Sequence, residues 1–191
     1  MSGIVGFIGS ENAAMVMIEA LAKLEHRGYD SCGLGVLSGR EVVVRKELGG
    51  IKKLEASIAS DPVSGSLGIG HTRWATHGKV SIENAHPQLA GRVALVHNGI
   101  IDNYVTLRER LLGKGRKFFS TTDTEVLAHL IDLKFSGNLK EAVSSALREV
   151  EGKYALAAFS PSDPDKIVAA ARGISIAVGL GSAKFIIASD V

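Results

Sequence analysis

The sequence predicts an α+β fold in which antiparallel β-sheets are covered by helices on their outer sides. Two observations carry this prediction. The secondary-structure signals run in the order strands, helix, strands, helices, strands, and short glycine- or proline-containing turns join several strands as hairpins. With 46% hydrophobic and 22% charged residues, the chain can bury a sizeable core. No linker, repeat or low-complexity tract divides its 191 residues, so we expect one domain.

The first half of the chain alternates β and α signals. An apolar run over residues 3–9, with glycine at both ends, predicts a buried strand. Apolar residues at helical spacing then predict an amphipathic helix as far as residue 25; they are Ala14, Met17, Ile18 and Leu21. The remaining elements are a hairpin of residues 32–37 and 41–46 around Ser38-Gly39, and a helix over 51–58 that ends before Asp61-Pro62.

The second half begins and ends with β signals around a helical centre. Residues 67–73 and 92–97 predict strands, and residues 74–89 between them predict a loop rich in polar residues. Three central helices are expected. The first covers residues 104–112, the second begins at a capping box formed by Thr122 and Glu125, and the third is capped by Asn138 and extends to residue 150. The closing strands are expected over 154–159, 167–171, 174–178 and 185–188, with a turn at 161–164.

Composition excludes several classes of protein. The 22 basic and 20 acidic residues leave a net charge of +2 with the two signs interspersed, which argues against a nucleic-acid binder. No uncharged apolar stretch is long enough to span a membrane, and the N-terminus lacks the basic residues of a signal peptide. The single cysteine, Cys32, cannot form an intrachain disulfide and is expected to be a small core residue. We therefore expect a soluble, cytoplasmic protein.

Five polar features follow or flank the apolar elements: Ser2, residues 26–31, residues 71–78, residues 97–99 and residues 122–124. Each also has an ordinary structural interpretation. Arg27 and Asp30 would form a surface ion pair, Asn98-Gly99 a hairpin turn, Asp123 a first-turn helix carboxylate, and Trp74 part of the core. The six histidines lack the spacing of a zinc site, so no metal is expected. The chain also lacks the glycine-rich loops of phosphate and dinucleotide sites, and no cofactor is expected.

Taken together and in order, these features closely resemble the class II glutamine amidotransferases. Within that family, Arg-Gly-Tyr-Asp-Ser at 27–31 and His-Thr-Arg-Trp-Ala-Thr-His-Gly at 71–78 are similar to the glutaminase half of the glucosamine-6-phosphate synthases. Phosphoribosyl-pyrophosphate amidotransferases have a similar layout but different residues at these places. The resemblance extends over essentially the whole chain.

The resemblance implies a four-layer α-β-β-α fold of the N-terminal-nucleophile hydrolase type, with two antiparallel sheets stacked face to face. It implies that residues 1–191 are a glutaminase domain that ends earlier than the family's domain does. The substrate would be L-glutamine, and the ammonia would pass to a sugar isomerase domain, absent here, that aminates fructose 6-phosphate to glucosamine 6-phosphate. The full-length protein would be a homodimer, with neither nucleic acid nor membrane as a partner.

The resemblance also assigns the chemistry to particular positions. Ser2 occupies the place of the family's nucleophile, a cysteine that becomes the first residue once the initiator Met is removed and whose α-amino group serves as the base. Asn98, through its side chain, and Gly99, through its backbone N–H, match the oxyanion hole. Arg27 matches the residue that braces the surroundings of the nucleophile.

The remaining matched positions would bind glutamine. Arg73 corresponds to the residue that holds the α-carboxylate, and Asp123 to the carboxylate that receives the α-ammonium group. Thr76 and His77 fall in the loop that folds over bound glutamine, and Trp74 resembles the gate of an ammonia channel.

Ser2 departs from the family, because a serine hydroxyl is a much weaker nucleophile than a thiol at neutral pH. If Met1 is retained, Ser2 also lacks the free amino group that would act as its base. The chain is therefore expected to be a disabled or slow form of the glutaminase. Three alternatives stay open: a non-catalytic glutamine-binding module, an amidotransferase domain serving another acceptor, and a serine amidohydrolase acting on another amide.

Overall fold

The computed structural model describes residues 2–75 and 78–190. In chain order its first elements are β1 (Gly3–Gly9), α1 (Ala13–Lys23), a 3₁₀ turn (Glu25–Arg27), β2 (Ser31–Ser38), β3 (Glu41–Leu48), α2 (Ile51–Ser60) and β4 (Leu67–Arg73). There follow β5 (Gln88–Ala90), β6 (Val93–Ile101), α3 (Tyr104–Leu112), α4 (Asp123–Lys134) and α5 (Leu139–Leu147). The chain closes with β7 (Gly152–Ser160), β8 (Asp163–Arg172), β9 (Ala177–Gly181) and β10 (Lys184–Ala188).

The strands form two sheets that stack between two layers of helices. One sheet has six strands in the order β3-β2-β4-β1-β10-β9, the other has four in the order β5-β6-β7-β8, and all the pairings between these strands are antiparallel. Helices α1 and α2 pack on the outer face of the six-stranded sheet, and α3, α4 and α5 on that of the four-stranded sheet. A third apolar cluster lies between the sheets. The predicted α-β-β-α fold is confirmed.

The layer between the sheets is apolar at one end and polar at the other. Ile4 of β1, Ile69 of β4 and Val96 of β6 are fully buried in its apolar cluster. Because side chains alternate along a strand, the residue two positions away lies on the same face. Two positions from Ile4, Ile69 and Val96, on the same faces, are Ser2, His71 and Asn98, respectively. The three strands therefore carry polar groups directly next to the apolar cluster.

Side-chain caps begin α4 and α5 at the residues that the sequence predicts. The Thr122 hydroxyl accepts a hydrogen bond from the Glu125 backbone N–H at 3.2 Å and starts α4. Asn138 starts α5 by accepting from the Glu141 N–H at 3.2 Å. The Glu125 carboxylate accepts from the backbone N–H groups of Phe119 and Ser120 at 2.8 and 2.7 Å, which ties the segment before α4 to the helix.

Several boundaries differ from the sequence prediction. The first hairpin turns at Gly39-Arg40 and not at Ser38-Gly39, because Ser38 still pairs with Glu41 and Gly39 adopts a φ of +62°. Further differences are β5 in the predicted loop, α5 ending at Leu147, β8 beginning at Asp163 and not at 167, and β9 at Ala177–Gly181 in place of 174–178. Strand β5 has only three residues, too few for an alternating pattern to show, and the position of β9 follows from its pairing with β10.

Cys32 lies in the apolar cluster between the six-stranded sheet and its helices, as expected of a small core residue. Burial raises the pKa of its thiol to about 12, and Glu47 and Glu25 add to the effect. The thiol is therefore protonated at neutral pH and is no candidate nucleophile. None of the helices in the described part of the chain has the length and apolar character needed to span a bilayer.

Candidate active site

A cavity of about 320 Å³ opens at the polar end of the layer between the sheets. Its walls come from the start of β1, the ends of β4 and β6, and the first turn of α4. The lining residues are Ser2, His71, Arg73, Trp74, His86, His97, Asn98, Gly99, Ile100, Thr122, Asp123, Thr124 and Ile174. The structure therefore brings together six of the nine residues that the sequence singles out.

Ser2 is held by groups from both sheets. Its hydroxyl oxygen accepts a hydrogen bond from the Trp74 backbone N–H at 3.0 Å. Its carbonyl oxygen accepts from the Asn98 side-chain amide at 2.7 Å and from the Arg27 Nε at 3.4 Å. These three contacts reach residues 25 to 96 positions away along the chain, so the place of Ser2 depends on tertiary structure.

Arg27 braces Ser2 from outside the cavity. Its Nη1 also pairs with the Asp190 carboxylate at 2.5 Å, so the interpretation of Arg27 and Asp30 as a surface ion pair is wrong. Asp30 turns inward and lies 3.9 Å from the Arg73 guanidinium. A Cβ at Gly28 would lie 2.6 Å from the Arg73 carbonyl carbon, so only glycine lets this turn approach the end of β4.

Asn98 and Gly99 lie within strand β6, so their interpretation as a hairpin turn is wrong. Pairing with β7 continues through Gly99 and Tyr154 as far as Ile101. Gly99 has a φ of +114°, and a Cβ there would lie 2.0 Å from the Lys153 carbonyl oxygen. The strand therefore requires glycine at this position, where its backbone lines the cavity.

Arg73 and Asp123 place opposite charges on the same cavity. Burial lowers the pKa of Arg73, and the nearby carboxylates of Asp30 and Asp123 oppose that effect, so the guanidinium stays charged. Asp123 is held by the Ile101 backbone N–H, which donates to its carboxylate at 2.9 Å. Asp123 is thus a first-turn helix residue, as expected, and also part of the cavity wall. A fixed cation and a fixed carboxylate together suit a zwitterionic amino acid.

Trp74 is about half exposed at the cavity, and its interpretation as a core residue is wrong. Its ring meets the Tyr29 ring edge to face, with the centroids 5.4 Å apart. Trp74 thus follows β4 as part of a surface rim. The other two residues assigned to this loop, Thr76 and His77, lie outside the described residues.

Three buried histidines line the cavity and were missed as site residues from sequence. His71 stacks on His86 with ring centroids 4.3 Å apart. The Thr124 hydroxyl lies 2.8 Å from His86 Nε2 and 3.0 Å from His97 Nδ1. Burial lowers the pKa of all three, that of His71 to about 3, so the rings are neutral at pH 7. No sequence signal joins them, because they come from separate segments.

No metal site emerges from these groups. Within residues 2–75 and 78–190, no cluster of three or more His, Cys, Asp or Glu side chains is arranged to hold an ion. The histidines instead stack on one another or contact Thr124 and Asn98.

Comparison with known proteins identifies the family. The model of the glutamine amidotransferase domain matches residues 71–189, which is more than half of the chain. The chain belongs to the class II glutamine amidotransferase family. The matched segment begins at His71 and contains Arg73, Asn98 and Asp123.

Similar proteins extend this family assignment over the whole chain. Two are named glutamine–fructose-6-phosphate aminotransferase [isomerizing], from Clostridium tetani and Methanosarcina mazei, and both are 48% identical over 100% of this chain. The alignments cover 32% and 33% of those proteins, so the chain spans about a third of their length.

Two solved structures share the fold. One is the glutamine phosphoribosylpyrophosphate amidotransferase from B. subtilis complexed with ADP and GMP, with 29% identity and a TM-score of 0.85. The other is described as the allosteric regulatory enzyme of purine biosynthesis, with 30% identity and a TM-score of 0.86. Each alignment covers 98% of this chain and 41% of the matched chain.

Proposed function

We propose that this chain is a glutaminase domain that binds L-glutamine in the cavity beside Ser2 and releases its side-chain nitrogen as ammonia. The observation that carries the proposal is the convergence of Ser2, Asn98, Arg73 and Asp123 on one cavity. It joins the two charges that an amino acid needs with a hydroxyl nucleophile and a hydrogen-bond donor for its side chain.

Glutamine would bind by its charged end. The Arg73 guanidinium presents a planar pair of donors to the α-carboxylate, and the Asp123 carboxylate accepts from the α-ammonium group. With that end fixed at the first turn of α4 and the end of β4, the side-chain amide extends toward Ser2.

The reaction would proceed through an acyl intermediate. The nucleophile at residue 2 adds to the side-chain amide carbon, and the oxygen that becomes negative is stabilised by the Asn98 Nδ2 and the Gly99 N–H. The C–N bond then breaks, and the nitrogen leaves as ammonia with the proton taken from the nucleophile. Water hydrolyses the resulting glutamyl ester or thioester to glutamate.

Ser2 makes this chain a weak form of the enzyme. Its hydroxyl carries almost no charge at neutral pH, and the base that would remove its proton is its own α-amino group. That amino group exists only after Met1 is removed, because the nitrogen of a peptide bond is not basic. Arg27, which contacts the Ser2 carbonyl, is proposed to keep the residue in place.

The acceptor of the ammonia is proposed from the names of the relatives. In a longer protein, a sugar isomerase domain would receive the ammonia and aminate fructose 6-phosphate to glucosamine 6-phosphate, and the whole would be a cytoplasmic homodimer. The exposed Trp74, at the rim beside Ser2, is proposed as the gate between the two sites.

The test is glutamate release from L-glutamine by this chain and by Ser2→Cys, with removal of Met1 verified by mass spectrometry. We expect the cysteine variant to turn over and the serine chain to reach below about 1% of its rate. Absence of turnover in the verified cysteine variant would contradict the proposal.

A second candidate is a non-catalytic glutamine-binding module, which Ser2 favours. Turnover in the Ser2→Cys chain separates the two candidates, because a binding module gains no activity from a thiol. Calorimetry with L-glutamine then tests the binding by Arg73 that both candidates require. We expect Arg73→Ala to weaken binding about 10- to 150-fold, since charge-assisted hydrogen bonds contribute about 1.5–3 kcal/mol. Arg110→Ala, which removes an arginine paired with Glu149 on the surface, is the matched control.

A further inference from the structure

We infer that His71 is a positioning residue that fixes the direction of the Asn98 side-chain amide. The expected effect of His71 on catalysis rests on the proposed glutaminase function, whereas its effect on the direction of the Asn98 amide does not. It is carried by a buried hydrogen bond between the two sheets, from His71 Nε2 on β4 to Asn98 Oδ1 on β6, at 2.9 Å.

The partners of Asn98 determine which way its amide points. The Ser2 carbonyl lies 2.7 Å from one end of the amide and can only accept a hydrogen bond, so that end must be the NH₂ group. The oxygen therefore faces His71. An amide oxygen only accepts, so His71 must carry its proton on Nε2 and donate it.

The His71 ring is itself fixed by its neighbours. The ring is stacked on His86, which is anchored in turn by Thr124 at the first turn of α4. His71 therefore cannot readily swing away from Asn98.

Without His71, the Asn98 amide would keep one anchor, the Ser2 carbonyl, which belongs to the nucleophile residue itself. A flip would then place the amide oxygen toward the developing negative charge of the substrate. With His71 in place the flipped state is costly, because the His71 Nε2–H would lose its acceptor and the Asn98 amide oxygen would face the Ser2 carbonyl oxygen, which is also an acceptor.

Two variants of similar polarity test this role in the Ser2→Cys chain. In His71→Gln the side-chain nitrogen occupies the place of Nε2 and can still donate to Asn98. In His71→Asn the side chain is one bond shorter and its nitrogen falls near Nδ1, too far to reach. Melting curves verify that both variants fold, and His71→Leu replaces His71→Asn if that variant does not.

The first readout is the pair of Asn98 side-chain amide protons in ¹⁵N-labelled protein, assigned by their loss in Asn98→Ala. We expect their two shifts to be retained in His71→Gln and to be altered or averaged in His71→Asn. This measurement needs no turnover, so it decides the role of His71 even if the glutaminase function fails.

The second readout is steady-state glutamine hydrolysis. We expect kcat to fall about 10- to 100-fold in His71→Asn and less than about 3-fold in His71→Gln. The dissociation constant for L-glutamine should stay within about 3-fold in both, because Arg73 and Asp123 are untouched. Equal effects of the two variants, or unchanged Asn98 amide shifts in His71→Asn, would overturn the inference.

Discussion

The two ends of the layer between the sheets are built from the same strands and held together differently. At one end Ile4, Ile69 and Val96 are fully buried among apolar side chains. At the other, two residues further along the same faces, Ser2 and Asn98 have specific partners. The apolar end of these strands is thus packed in the core, and the polar residues that follow on the same faces form the candidate site.

The two ends should therefore respond differently to substitution. Apolar burial is non-directional, and its loss appears as a loss of folding free energy. Polar contacts between buried groups contribute little net stability but fix directions. If the contrast holds, the largest stability effects lie at the apolar end and the largest activity effects at the polar end.

The strongest expected effect is the loss of Phe159, a fully buried ring of β7 in the apolar cluster. Phe159→Ala should lower the free energy of unfolding by about 3–5 kcal/mol, because it removes apolar burial and leaves a cavity. Urea unfolding measures this value. Leu180→Ala, at a position 77% exposed on β9, is the control and should change stability by less than about 0.5 kcal/mol. If Phe159→Ala lowers the free energy of unfolding by less than about 1 kcal/mol, the apolar end does not contribute more to stability than the polar end, and the comparison fails.

The next effect lies at the polar end. In the Ser2→Cys chain, Asn98→Ala should reduce kcat about 10²–10³-fold, or about 2.7–4 kcal/mol, if its amide stabilises the oxyanion. Its cost in unfolding free energy should be smaller, about 1–2 kcal/mol, from two lost hydrogen bonds. Both quantities come from glutamine hydrolysis and urea titrations on one preparation.

The matched control for that substitution is Asn138→Ala, which removes a helix cap of α5 outside the cavity. It should cost about 1 kcal/mol of stability and leave kcat unchanged. An unchanged kcat in Asn98→Ala would contradict the assignment of its amide to the oxyanion.

The frame of the molecule was largely predictable because its signals are local. Strands β1 and β4 and helix α3 have the predicted bounds, and the caps at Thr122 and Asn138 begin their helices. Alternation and helical spacing act over a few residues, so each segment carries its own evidence. The order of these elements then favoured the two antiparallel sheets.

The site was only partly predictable because its contacts are long-range. Asn98-Gly99 has the local signature of a turn, but pairing with β7 keeps both residues in a strand. The contact of His71 with Asn98 spans 27 positions and that of His86 with Thr124 spans 38. The motif resemblance selected six residues that line one cavity, whereas the histidines and Thr124 that contact them could be placed only by the tertiary structure.

The smallest predicted effect is a pH dependence of the unfolding free energy, which comes from a titratable side chain at the polar end, His71. Burial lowers the pKa of His71 to about 3, with smaller contributions from the nearby His97 and Arg73, whereas an unfolded histidine has a pKa of about 6.5. Between these values the unfolded chain binds a proton that the folded chain does not. The contribution of His71 to the free energy of unfolding is therefore fully present above about pH 6.5. It decreases as the pH falls below that value, by up to about 1.4 kcal/mol per pH unit.

His71→Gln removes this titration and keeps the donor to Asn98. Between pH 7 and pH 5 the variant should lose about 2 kcal/mol less unfolding free energy than the parent chain. Urea unfolding at half-unit intervals of pH measures the difference, and the buried His86 and His97 are common to both proteins and largely cancel. Parallel stability curves would mean that His71 takes up a proton as readily in the folded chain as in the unfolded one. The polar end would then be open to water, and its contrast with the apolar end would be one of composition and not of burial.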